Sequence, residues 1–189
     1  METTNLYLFK ALDAYPYNLE EAVEALNYSL SYDPNNVMAL CLMARVQSEQ
    51  LGDYHAAIEY FEKALACDME NPKTYASYIH VLMQNDDYVE AQKLIEYAMT
   101  VKGIDKGGIA LLQGQLYEAL FEFEMAESAL KEALLLGLNS GFISFVEDEL
   151  SRVSKKRERH NRNKAKSKEV QEPQESSQAN WISRLNNLL

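Results

Sequence analysis

Cysteine is almost missing from this chain, and the two that occur, Cys41 and Cys67, form no C-x-x-C unit. A disulfide framework and a thiolate metal centre are thereby excluded as organising features. Small buried thiols in a reducing compartment are expected instead. Histidine is as scarce: His55, His80 and His160 stand in no H-x-x-x-H or H-E-x-x-H unit. No Gly-rich phosphate loop and no G-x-S-x-G occurs. The chain is therefore read as no enzyme, with no cofactor and no metal. Long apolar runs are missing too. No segment approaches the roughly 18 uninterrupted apolar residues of a membrane span. Residues 1–25 hold no basic stretch followed by an apolar run, so no secretory signal and no membrane contact are expected, and the expected location is cytoplasmic.

Basic residues are rare over most of the length and then crowd together. Residues 1–154 hold 9 Lys+Arg against 25 Asp+Glu, a net of −16. Residues 155–168 reverse this with Lys155, Lys156, Arg157, Arg159, Arg162, Lys164, Lys166 and Lys168 against Glu158 alone, a net of +7. Residues 169–189 add −2. An acidic body thus carries one short basic segment.

What the chain does have is repetition. Leu19-x₂-Ala22, Tyr54-x₂-Ala57, Tyr88-x₂-Ala91 and Phe123-x₂-Ala126 follow one another at intervals of 35, 34 and 35 residues. A large apolar residue stands four positions after each Ala (Leu26, Phe61, Ile95, Leu130), and a small one three further on (Ser29, Ala64, Ala98, Ala133). Such a period means a solenoid or array. Each unit reads as two helices. In the second, Leu40, Met43, Ala44 and Gln47 precede a Gly52-Asp53-Tyr54 turn, and Ala57, Ile58, Phe61, Ala64 and Leu65 then form one apolar stripe. The small residues are expected to let the hairpin's helices approach, and Phe61 to fill the gap between hairpins. Helix stops are assigned to Asp33-Pro34-Asn35-Asn36 and Asn71-Pro72, with Gly103 and Gly137 breaking the later units.

These residues resemble the tetratricopeptide repeat, W-x₂-L-G-x₂-Y, then A-x₃-F-x₂-A, then P. The second half of that pattern fits all four units. The first half fits best in Tyr75-x₂-Tyr78-Ile79-x₂-Leu82 and Gln113-Gly114-x₂-Tyr117. In the first unit Leu6, Phe9 and Lys10 stand in for W, L and G, and the second carries one extra residue around Leu51. The resemblance covers residues 5–138. It implies an all-α, right-handed α-solenoid of about four helix hairpins, closed by a C-terminal capping helix.

Residues 140–168 read as that cap, with Phe142, Phe145, Val146, Leu150 and Val153 as its apolar stripe. The expected organisation is a solenoid with its cap over 1–154, a basic helix extension and linker over 155–180, and a short amphipathic tail over 181–189. In the tail Trp181, Ile182, Leu185, Leu188 and Leu189 share one face, and they are assigned as a docking motif.

In arrays of this family the first helix of each unit lines a concave groove. The corresponding rows here are Ala11, Arg45, His80 and Gln115, then Tyr7, Cys41, Ala76 and Leu111, and then Thr4, Met38, Lys73 and Gly108. Tyr7, Cys41, Arg45, Lys73, His80, Leu111 and Gln115 are the candidate partner-binding residues, with Arg45, His80 and Gln115 as a polar ladder. The Lys and Asn residues with which some members clamp chaperone EEVD tails are met here by Tyr7, Ala11, Leu42, Lys73 and Ser77. Only Lys73 agrees, so such a clamp is not expected.

The basic segment has three readings: a solvated helix extension, a phosphate-binding element for nucleic acid, or a surface held against an acidic face of the solenoid or of a partner. It has no interleaved aromatics for base stacking, and the acidic body repels polyanions. Nucleic acid is therefore possible but not favoured. The functional expectation is an adaptor or assembly factor that binds another protein's peptide or helical segment, with self-association possible. The alternatives are an RNA- or ribosome-associated factor and a secretion-type chaperone.

Overall fold

The computed structural model describes residues 6–171, with side chains as far as residue 165. Helices α1 (Leu6–Ala14), α2 (Leu19–Tyr32), α3 (Val37–Arg45), α4 (Tyr54–Cys67), α5 (Pro72–Gln84), α6 (Tyr88–Ala98), α7 (Lys106–Ala119) and α8 (Phe123–Leu136) form four antiparallel hairpins. The long α9 (Ser140–Gln171) follows. Short polar side chains start many of these helices. Asn18, Asn36, Asp53, Asn71 and Asp105 each accept a hydrogen bond from a backbone N–H that the first turn leaves unpaired. Pro72 sits in the first turn of α5, where its missing N–H costs nothing. It starts a helix, whereas the expectation was a stop; α4 ends before it, with Asp68 as C-cap.

Every small position of the repeat is buried. Ala22, Ala57, Ala91 and Ala126, and their partners Ser29, Ala64, Ala98 and Ala133, lie in the hairpin interfaces with no exposed surface. Leu26, Phe61, Ile95 and Leu130 are buried beside them. Burial of such side chains contributes about 1.5–3 kcal/mol each. Phe61 of α4 stacks on Tyr78 of α5 with ring centroids 5.3 Å apart, which joins the second hairpin to the third. Gly114 lets α7 and α8 close up: a Cβ there would stand 2.8 Å from Leu130 Cγ. Three apolar clusters run the length of the array, centred on the first two hairpins, on the third with its neighbours, and on the fourth with α9.

The extra residue of the second unit is absorbed without a break. Residues Val46–Leu51 continue α3 as a π-helical segment, closed by Gly52 at φ 68°. The same left-handed corner recurs two residues before Tyr88 and Phe123, at Asp86 (φ 62°) and Phe121 (φ 62°). Gly suits it and Asp tolerates it. A phenylalanine there costs about 1–2 kcal/mol.

Four expectations need correction. In the first unit Leu6 and Phe9 are 75% and 57% exposed, and α1 buries Leu8, Ala11 and Ala14 instead. Its turn to α2, with Pro16, lacks the positive-φ corner of the other three, so the helix meets the array in a different register. Phe145 is exposed on α9, while Val146 and Val153 are buried. Cys67 is exposed at the end of α4, and Cys41 is only partly buried. Among the described residues no helix is long and apolar enough to cross a membrane.

Candidate functional site

The inner surface of the array is built from first helices, and the π-helical segment shapes it. A groove of about 680 Å³ opens between α3 with its π continuation, α4, α5 and the start of α7. Ala76, Val81, Ile104, Ile109 and Leu112 give it an apolar lining. The wider π turn brings Ser48 and Glu49 to its edge. Asp105 stands at the opposite end, where it caps α7.

Two polar networks line the groove, each hydrogen-bonded internally. Arg45 Nε donates to Glu49 Oε1 at 2.9 Å, Tyr15 donates to the other carboxylate oxygen, and the Arg45 guanidinium lies 5.1 Å from the Tyr15 ring centroid. Burial opposes the Glu49 charge, but the bonds from Arg45 and Tyr15 outweigh it and hold the carboxyl below its usual range. Burial, then the Glu49 carboxylate, pushes the Tyr15 hydroxyl up. Opposite, the Tyr54 hydroxyl donates to Gln84 Oε1 at 2.9 Å, and Gln84 Nε2 lies 3.1 Å from His80 Nε2. Groups already paired add little to a ligand's desolvation cost, so the groove offers apolar area between fixed dipoles.

Of the residues expected to line the groove, Arg45 and His80 do so together, with Ala76 and Gly108 beside them. Cys41 bonds Thr74 on the edge of the neighbouring cluster. Lys73 is exposed at the start of α5, outside the groove's lining. Ala11 is fully buried, and Tyr7 stacks on Tyr28 of α2 at 5.2 Å, so the first unit adds neither to the ladder. Leu111 packs in the cluster shared with α9, and its neighbour Leu112 faces the groove. Gln115 lines a second cleft. Sequence spacing missed Tyr15, Glu49 and Leu112, because a register copied from unit to unit foresees neither a π turn nor a shifted first helix.

That second cleft, about 540 Å³, lies between the α7–α8 turn and α9. Ala119, Phe121 and Phe123 form one wall, and Arg152, Lys156, Arg159 and His160 the other. Arg152 Nη2 donates to Glu118 Oε2 at 2.6 Å and to Glu149 Oε2 at 2.7 Å, while Lys156 donates to Glu118 as well. Arg157 meets Glu127 of α8 at 3.0 Å. Lys155 faces away beside Glu158, and Arg162 pairs with Glu158 along α9. Lys164 is exposed. The side chains of Lys166 and Lys168, and the tail residues Trp181, Ile182, Leu185, Leu188 and Leu189, lie outside the described residues. The basic segment therefore leans, over its first part, on acidic groups of its own solenoid.

Residues 49–98 match the tetratricopeptide repeat family. No curated protein sequence matches the chain. Among solved structures it is similar to PilF of Pseudomonas aeruginosa, 23% identical over 80% of this chain and 68% of that one, with a TM-score of 0.68. PilW, described as a widely conserved type IV pilus biogenesis factor, is 19% identical over 83% and 71%, with a TM-score of 0.72. MamA of Desulfovibrio magneticus RS-1 is 19% identical over 88% and 96%, with a TM-score of 0.62. At these identities the likeness is one of fold.

Proposed function

We propose that this chain, a tetratricopeptide-repeat protein, is an interaction adaptor or assembly factor whose inner groove holds a peptide or helical segment of a protein partner. The observation that carries the reading is the groove itself: an apolar lining beside two internally hydrogen-bonded polar networks that keep groups free for a ligand. An amphipathic helix or extended segment that offers apolar side chains suits it, with polar groups directed at Arg45–Glu49 and His80–Gln84. The likeness to PilW favours an assembly role within this class. The tail, with the chain's only Trp, is read as a second contact element.

The test is affinity capture from a lysate with the full chain beside Leu112→Glu and the double variant Arg45→Glu, His80→Glu, read by mass spectrometry. Partners lost in both at unchanged far-ultraviolet circular dichroism support the groove. Partners retained by both would move the contact elsewhere. Salt separates the RNA-associated alternative, since phosphate-driven binding falls steeply between low and moderate salt while groove binding persists.

A further inference from the structure

The cleft between the α7–α8 turn and α9 is not part of the groove, and its two walls ask for different things. Phe121 is held at φ 62° with 70% of its surface exposed, edge-on to Phe123 at 6.1 Å. His160 tilts over the far side of Phe123 at 5.5 Å. Facing these rings stand Arg152, Lys156 and Arg159, of which Arg152 and Lys156 are engaged by Glu118 and Glu149. Arg159 makes no ion pair among the described residues. An excess of positive charge beside an exposed aromatic is unusual on a body whose first 154 residues carry a net of −16.

We propose that this cleft receives the chain's own residues 172–189, with Glu175 against Arg159 and Trp181 on Phe121. The occupant's chemistry is complementary on both counts: the Glu175 carboxylate precedes the single Trp and Ile182. The reach suffices. Arg159 stands about 18 Å before the end of α9 at Gln171, given the helical rise per residue. The four residues from 172 to 175 span up to about 13 Å, which leaves about 5 Å for the Glu175 and Arg159 side chains to bridge. The ten from 172 to 181 span up to about 33 Å. A long polyanion filling the same cleft would run onto the acidic solenoid, whereas a tethered segment of this length stays within the basic patch. The tail becomes an intramolecular latch that a partner must displace, so the inference rests on the reading of the tail as a docking element.

Because Trp181 is the only Trp, its emission reports the latch in the intact protein. The full chain should give a blue-shifted spectrum that is unchanged on dilution. Phe121→Ser and Arg159→Glu should each shift it to the red limit of a solvated indole and raise acrylamide quenching severalfold, with circular dichroism unaltered. The groove substitution Leu112→Glu should leave it unmoved. A solvated spectrum in the parent chain overturns the proposal. So does a blue shift that grows with concentration, which assigns the tail to a second copy, or one indifferent to both cleft substitutions. A short oligouridylate whose binding is lost in Arg159→Glu while Trp181 stays solvated would give the cleft to nucleic acid. Failure of the wider tail reading is seen separately, as partner capture unaffected by Trp181→Ser.

Discussion

Arg152 of α9 and Glu118 of α7, 34 residues apart, are joined by a hydrogen bond of 2.6 Å from Nη2 to Oε2. Lys156, one turn further along α9, donates to the same carboxylate. The Glu118 side chain is only 11% exposed, whereas its two partners keep about half of their surface in water. The pairing ties α9 to α7 beyond their shared apolar cluster. It is also where the apolar stripe of α9 gives out, since Val153 is the last buried apolar residue among the described side chains of that helix.

Glu118→Gln should therefore loosen α9 by about 1–2 kcal/mol, the range of a charge-assisted hydrogen bond discounted for exposed partners. Burial opposes the Glu118 charge, but donation from Arg152 and Lys156 prevails and holds the carboxyl below its usual range. A lowered carboxyl contributes stability above its unfolded value and loses it as pH falls through the folded one. The melting gap between parent and variant should be constant above about pH 5 and close below about pH 4. A gap that ignores acid would show the pair to be inert.

The small positions make a sharper test of packing. Ala57→Leu, Ala91→Leu and Ala126→Leu should each overpack a hairpin and cost about 1–3 kcal/mol. Gly114→Ala should cost a similar amount, because its Cβ would press on Leu130 Cγ at 2.8 Å. Melts unchanged in all four would mean that the helices do not approach as described.

These positions were legible in the sequence because close packing leaves no latitude: every Ala of the repeat is where its spacing put it. The groove was legible in part. Arg45 and His80 share it as expected, since the second and third units stack in the ideal register. The π turn at Val46–Leu51 and the first helix are not periodic features, so Glu49 was missed and Tyr7 was misplaced. The second cleft was hidden for another reason. Its aromatic wall and its basic wall come from segments about 35 residues apart, and the basic segment taken alone has no aromatic to suggest a site.

For the groove, charge and apolar area give different outcomes. Arg45→Glu leaves two carboxylates one helical turn apart and removes the cation from the Tyr15 ring, so capture of the groove partner should fall at least tenfold. His80→Gln keeps a group able to bond Gln84 and should fall by less than threefold. A fold-change of roughly ten corresponds to about 1.4 kcal/mol of binding energy. Titration with the captured partner by calorimetry distinguishes the two. Equal losses for both would mean that the polar walls do not touch the ligand.

Phe121 should be the one position where a smaller, more polar residue stabilises the fold. Its backbone occupies the left-handed region that Gly52 and Asp86 take in the equivalent turns. For a phenylalanine that geometry costs about 1–2 kcal/mol, and Asn relieves much of it because its short polar side chain tolerates the conformation. Against this stands the loss of the edge-on contact with Phe123, about 0.5 kcal/mol or more, and of a small buried area, since 70% of Phe121 already faces water. The balance favours Phe121→Asn by about 0.5–1 kcal/mol, a rise in melting temperature of about 1–4 °C for a chain of this size. Phe121→Leu keeps the strained backbone and loses the ring, so it should melt below the parent. A tail resting on Phe121 adds a term of opposite sign, which Trp181→Ser introduced into parent and variants alike removes from the comparison. If Asn and Leu destabilise equally in that background, the turn is not strained, and the exposed ring needs no explanation from function.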